Sequence, residues 1–428
     1  MAVSKTSQKN GKGQSGRLLS LDVFRGMTVA FMIIVNTPGT WSHVYAPLRH
    51  APWHGCTPTD LVFPSFLFIS GVAMWYSLRK YNFEFSGPSL FRILRRVALI
   101  FLAGLFLNIF PRFVRDYDTL RIMGVLQRIA LAWGLGAVIV LLVKRNYIWV
   151  TTLVILLGYW ALLYFFGGSD PYSLEGNFGR QVDIKILGEN HLYKGFGVPF
   201  DPEGLLSTIP AVATVLLGFM TGNLISSFGT SWKTAGWLAI IGAALIGAGL
   251  LWGQYFPINK PIWTSSYVLY AGGIGMVILA LLFMIVDIFG ITAWRAVGIL
   301  CLIGAAFIIL GLIWGKISST DISRFLNYRS ALTIGILIIV FALLLKSNFF
   351  LAFGLNPMST YLLAGIWTKT MLNIKIGEVT LYNWIFTHIC SPLFNEQKIA
   401  SLMFAIMQVL LIWAFGYILY RKKIIIRF

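Results

Sequence analysis

The chain has 428 residues, of which 57% are hydrophobic and 11% charged, with a mean hydropathy of +0.78. That excludes a soluble globular domain, and because the apolar runs are continuous rather than alternating it excludes a β-barrel as well. The formal net charge of +19 is read as a signature of membrane insertion, with no nucleic acid among the expected partners.

Residues 1–16 form a Lys/Ser/Gln/Gly tail, expected to be disordered and cytoplasmic; no cleavable signal peptide is expected in the first apolar run. Residues 17–428 then read as one all-α polytopic membrane domain of about twelve spans. They fall near 21–38, 60–78, 94–110, 123–143, 148–166, 205–226, 233–253, 264–287, 294–315, 330–346, 348–372 and 400–420. With the amino terminus inside, most of the excess of Lys and Arg falls on the cytoplasmic side, which predicts that both ends are cytoplasmic. The longest outer loop, 167–204, is expected to cap the outer face, and 294–346 reads as an inserted hairpin for packing or self-association. A homodimer is left open on that ground. Three cysteines, Cys56, Cys301 and Cys390, are too few for a disulfide framework and are expected to be free thiols.

The most informative segment is HAPWHGCTPTDLVFPSFLF, His50 to Phe68, which follows RLLSLDVFRGMTVAFMIIVN, Arg17 to Asn36. An apolar span here ends in the Asn36 amide, and a short Pro/Gly-rich link brings in the His50 imidazole on the same membrane face. An ordinary imidazole suits proton transfer and an amide NH₂ suits an oxyanion or an acyl carbonyl. The bland alternative makes His50, like His43 and His54, an interfacial loop residue.

These two segments, with RIMGVLQRIA (121–130), FDPEGLLSTIPA (200–211), INKPIWTSSYVL (258–269), FGLNPMSTY (353–361) and YRKKIIIRF (420–428), resemble in order the transmembrane acetyltransferases typified by heparan-α-glucosaminide N-acetyltransferase. The resemblance implies a ten-helix core plus the inserted hairpin, and transfer of acetyl from cytoplasmic acetyl-CoA, as co-substrate, to an amino sugar on the far side. It also implies that His50 is the catalytic histidine and Asn36 its partner. Three departures stand out: no lumenal domain precedes the bundle, the Asn36-to-His50 link is slightly longer, and the hairpin is extra. The first suggests a bacterial member in the cytoplasmic (inner) membrane, multi-pass, and all three leave the acceptor open.

Other polar residues carry two readings each. Arg25, beside Asp22, is either an interfacial anchor or a contact to CoA phosphates; positive-inside bias alone accounts for Arg92, Arg95 and Arg96. Arg112, Arg115, Arg121 and Arg128 sit on the outer side against that bias, and Arg121, Gln127 and Arg128 read as either a structural network or a polar pocket for the cofactor's pyrophosphate or an acidic acceptor. Asp201 and Glu203 around Pro202 read as an N-cap and acidic first turn, or as sugar contacts; Asp60 reads as a cap in the same way. Asn259, Lys260 and Trp263 form an outer polar-aromatic turn that is either an anchor or a sugar-stacking platform. Asn356 before Pro357 marks a kink lining a cavity, and His388 lies in a re-entrant segment as a weaker candidate. No metal is expected. The competing functions are a permease for N-acetylglucosamine-type sugars, which also fits about twelve spans, and O-acetylation of envelope glycans.

Overall fold

The computed structural model describes residues 18–111, 117–290, 302–306, 328–346 and 348–426. It is about 74% helical, and the chain is an all-α, multi-pass membrane protein. Among the described residues, eight helices are long and apolar enough to cross a bilayer, and a bent pair, Ile338–Lys346 with Phe349–Leu355, makes a ninth if it counts as one span. Most of the 294–346 hairpin, Cys301, Arg112 and Arg115 lie outside the described residues.

The order is α1 (Leu19–Asn36), α2 (Val62–Leu78), α3 (Gly87–Ile109), α4 (Val125–Leu142), α5 (Ile148–Phe166), α6 (Phe178–Leu187), α7 (Thr208–Phe228), α8 (Trp232–Trp252) and α9 (Ser265–Leu282). There follow α10 (Tyr328–Lys346), α11 (Phe349–Leu355), α12 (Pro357–Asn373), a two-stranded ribbon β1 (Lys375–Ile376) and β2 (Val379–Thr380), α13 (Leu381–Ile385) and α14 (Gln397–Arg421). A helix apolar on every side belongs inside a bundle or in lipid, and the chain uses both. The windows of α2 and α7 are 78% buried against protein, whereas those of α5 and α8 are 28% buried. The last two present Trp149, Val154, Phe165, Ile240 and Leu251 outward, so α2 and α7 form the axis and α5 and α8 the lipid-facing rim.

α1 is tied down at both ends. Its amino end has no side-chain cap of its own, but a π turn extending α9 (Phe283–Ile288) delivers Asp287, whose carboxylate accepts from the backbone N–H of Leu19 (3.1 Å) and Ser20 (3.2 Å). This satisfies two of the orphan donors of the first turn and opposes the helix dipole. Beyond its other end, Gly39 N–H donates to Ser401 O (3.2 Å) and the Tyr382 hydroxyl to Pro38 O (2.7 Å).

Within the expected span 348–372, the interruption read at Asn356 is a full break into α11 and α12. Pro357 cannot donate a backbone hydrogen bond and biases the residue before it away from helical angles; Asn356 takes φ −130°, ψ 51°. The loop 167–204 contains the short helix α6, absent from the sequence expectation.

Candidate active site

The link between α1 and α2 folds on one carboxylate. Asp60 is buried at the head of α2, in a capping box with Thr57. Its Oδ2 accepts from Ala51 N–H, Thr57 N–H and the Thr57 hydroxyl, each at 3.0 Å, which winds the loop around the carboxylate. Its Oδ1 meets His50 Nδ1 at 2.6 Å. An ionised carboxylate only accepts, so Nδ1 carries the ring proton and the neutral imidazole keeps Nε2 free as a base. The His50 side chain is 50% exposed.

Lys260 enters from the α8–α9 turn, 210 residues away in sequence, with Nζ 3.2 Å from His50 Nδ1 and 3.5 Å from Asp60 Oδ1. Burial pushes its ammonium pKa down, against the pull of Asp60 and Glu203. The two loops are docked by backbone: Gly55 N–H donates to Ile258 O (2.7 Å) and Gly55 pairs with Asn259 as an isolated bridge. Gly55 holds φ +107° there, a conformation that a side chain would strain.

Two cavities meet at His50. The inner one, about 150 Å³, is lined by Met32, Val35, Phe63, Phe66, Ile129 and Met358, with Asn36, His50, Glu203 and Lys260 at its polar end. The outer vestibule, about 290 Å³, shares His50, Val125, Glu203 and Lys260 and adds Trp53, Asp60, Arg121, Tyr193 and Phe196. At the opposite end of the bundle a third cavity, about 310 Å³, carries Arg25, Arg92 and Arg96 against Ile69, Ile100, Leu355, Pro357, Ile425 and Ile426. Phe66, Ile129 and Met358 line this basic cavity and the inner one alike, so the two adjoin through a shared apolar wall. Arg96 Nε is buried without a hydrogen-bond partner, and its guanidinium lies 4.2 Å from the Trp133 ring centre.

The other expected site residues divide by surroundings. Arg121 is held bidentate by Asp201 (2.8 and 2.7 Å) and by Glu203 (2.5 Å). Arg128 is fully buried, donating to Ser207 and to Gly204 O (3.2 Å) with its guanidinium over Trp263. Gln127 donates to Ile122 O (3.0 Å). The two arginines tie the entrance of α4 to the 200–207 turn at the His50 end while Gln127 braces the segment before α4, and only Arg25 of the expected cofactor contacts lines the basic cavity. Arg25 also donates to Asp22 (3.0 Å) and to Gly354 O (3.3 Å). Asp183 of α6 sits beneath the same turn, accepting from Leu205 N–H (2.8 Å), and burial pushes its carboxyl up to about 7.

The expected stacking platform at Trp263 is corrected by the structure: the ring is fully buried, packed on Phe63 and Tyr267, and donates to Thr214 (3.2 Å). Asn259 is buried too and shapes its own turn through Ile262 N–H (3.0 Å). The aromatic surface facing the vestibule is instead Trp53, Tyr193 and Phe196. Asn356 lies at the Arg25 end with both amide atoms engaged by residues 424–426. His388 stacks on Trp384 in an exposed π turn and lines none of these three cavities. Sequence reasoning gave Asp60 only a capping role; its placement ten residues after His50 is the signal, but pairing needs the loop to close. Lys260 reads in the sequence as part of a turn that is either an interfacial anchor or a sugar platform, and nothing local announces its place beside His50. Cys56 and Cys390 are free thiols.

Residues 17–252 match the family model described as heparan-alpha-glucosaminide N-acetyltransferase, catalytic. Among similar proteins, heparan-alpha-glucosaminide N-acetyltransferase of Homo sapiens is 29% identical over 336 residues, 64% of this chain and 50% of that protein. The Mus musculus protein of the same name is 26% identical over 341 residues, 65% of this chain and 51% of that one. The chain thus spans about half the length of the curated relatives it matches. The family match takes in Asn36, His50, Asp60, Arg121 and Glu203 and stops short of Lys260 and Asn356.

Proposed function

The chain belongs to the heparan-alpha-glucosaminide N-acetyltransferase catalytic family, and we propose that it transfers acetyl from cytoplasmic acetyl-CoA to the amine of a glucosamine-type sugar on the opposite face of a bacterial inner membrane. The observation that carries this reading is the adjoining pair of cavities between Arg25, Arg92 and Arg96 at one end and His50 at the other. Guanidinium groups suit the phosphates of the donor, and the apolar inner cavity suits its arm and acetyl group. Arg25 and Asn36 are eleven residues apart on α1, about 16 Å along a helix rising 1.5 Å per residue. That separation is comparable to an extended phosphopantetheine arm.

The chemistry follows from the residues around His50. The neutral acceptor amine attacks the thioester carbon; His50 Nε2 takes the amine proton as the C–N bond forms. Asp60, holding Nδ1–H, stabilises the imidazolium. The Asn36 NH₂, with the Lys260 ammonium nearby, stabilises the tetrahedral oxyanion. As the C–S bond breaks, the imidazolium returns its proton to the leaving thiolate, so the enzyme is regenerated and CoA leaves as the thiol. The vestibule supplies aromatic faces at Trp53, Tyr193 and Phe196 for a sugar ring and Glu203 for its cationic amine, which releases its first proton to solvent before the attack.

Purified protein in nanodiscs, given acetyl-labelled acetyl-CoA and glucosamine, should form labelled N-acetylglucosamine. Replacing Arg96 with Gln should raise the KM for acetyl-CoA about tenfold or more. Absence of acetyl transfer across a panel of amino sugars, with uptake of sugar into proteoliposomes instead, would replace this reading with that of a permease.

A further inference from the structure

The segment after α14 is built into the wall of the basic cavity. α14 ends with Lys423 in the left-handed region (φ +55°) and Ile424 N–H donating back to Leu419 O (2.9 Å), a helix stop that reverses the chain. Residues 424–426 then run past the break between α11 and α12. There the fully buried Asn356 meets them with both ends of its amide: Nδ2 donates to Ile424 O (2.9 Å) and Oδ1 accepts from Ile426 N–H (2.8 Å). A single side chain thus pairs with the segment as a neighbouring β-strand would, using the amide's donor and acceptor together.

The break itself is anchored. Thr360 N–H and hydroxyl donate to Asn356 O (3.0 and 2.9 Å), and α11 lies against α1 with backbones in contact. A Cβ at Gly26 would strike Phe350 O, and one at Gly354 would strike Asp22 O. Arg25, on that face of α1, donates to Gly354 O. Ile425 and Ile426 line the same cavity as Arg92 and Arg96, so it carries both cationic and apolar groups.

We propose that Asn356 is a positioning residue for the donor, holding residues 424–426 as the apolar wall against which a phosphate-bearing coenzyme is clamped on Arg25, Arg92 and Arg96. The proposal rests on the donor's entering this cavity. Nothing in the transfer chemistry at His50 requires Asn356 or the segment, so their loss weakens donor binding and leaves the chemical step alone.

The experiment measures binding of CoA itself, by calorimetry on the nanodisc-embedded protein, together with steady-state kinetics. Wild type is compared with Asn356→Ala, with a chain ending at Lys423, and with both changes combined. Each single change should weaken CoA binding and raise the KM for acetyl-CoA about tenfold, with kcat and the acceptor KM within about twofold. The combined change should be no worse than either alone, because both remove the same wall. The chain ending at Lys423 keeps all of α14, so it decides the matter if Asn356→Ala fails to fold. Unchanged CoA affinity in the shortened chain overturns the proposal, as does a fall in kcat without a donor effect. Failure of the wild type to bind CoA or transfer acetyl overturns the functional reading beneath it, a different and distinguishable result.

Discussion

Replacing Asp60 with Asn separates the electrostatic part of the site from its shape. The two side chains are nearly isosteric, and Asn caps a helix about as well as Asp. The amide oxygen can keep the Oδ2 duties, accepting from Ala51 N–H, Thr57 N–H and the Thr57 hydroxyl. The amide NH₂ then occupies the Oδ1 position, 2.6 Å from His50 Nδ1, where it donates. The imidazole must answer with a bare Nδ1, which puts its proton on Nε2, the atom needed as base. The wrong tautomer and the lost stabilisation of the imidazolium together should cost about 10²–10⁴ in the transfer rate. The fold should survive at a cost of about 1–3 kcal/mol for the lost carboxylate charge. Lys260 loses its charged partner as well (3.5 Å), so donor binding, about 16 Å away along α1, serves as the internal control and should not move. The assay is single-turnover transfer from labelled acetyl-CoA at saturating acceptor, beside CoA binding by calorimetry. Asp60→Asn protein that binds CoA normally and transfers acetyl within threefold of wild type would refute the tautomer argument and with it the role of His50 Nε2.

His50→Ala should lower turnover by about 10²–10⁴ while leaving unfolding unchanged in a thermal melt, since the imidazole is half exposed; near wild-type turnover would reduce His50 to a loop residue. Asn36→Ala should cost about 10²–10³ in kcat with little change in donor KM if its amide stabilises the oxyanion. Asp183 carries a pH signature: its carboxyl titrates at about 7 in the folded protein against an ordinary 3.8. The unfolded chain therefore gives up that proton first, and stability should fall as pH rises from about 4 to about 7 and level off above; Asp183→Asn should flatten this slope in melts across that range. Asp287→Ala removes the remote cap of α1 and should destabilise by about 1 kcal/mol or more, visible as a lower melting temperature.

Much of the helical plan was legible because bilayer thickness imposes run length, and that Asn36 and His50 come to line one cavity follows from the short link between them. The rest depended on contacts that no local pattern encodes. Lys260 reaches His50 only because the turn holding it docks on Gly55, and the sequence around it reads like any outer interfacial turn. Arg92 and Arg96 were absorbed by the positive-inside bias, a sufficient explanation for cations at a helix end until a cavity is found between them. Trp263 looked like an interfacial aromatic, yet its indole N–H has a buried partner in Thr214 and its ring a cation in Arg128. Asn356 was read as a kink, which it is, but the occupant of the kink comes from nearly 70 residues further along the chain.

Because Asp287 clamps α1 at its first turn and Ser401 and Tyr382 hold the link beyond its last, α1 cannot slide along its axis without breaking both attachments. Arg25 and Asn36 are therefore graduations on a fixed ruler. A donor bound by its phosphates at one mark is read at the other by how far its arm extends. With the proposed function, carriers that share the coenzyme's head but have a shorter arm would be bound and yet deliver their acyl carbon short of the imidazole. Selection would then act on length as well as on charge.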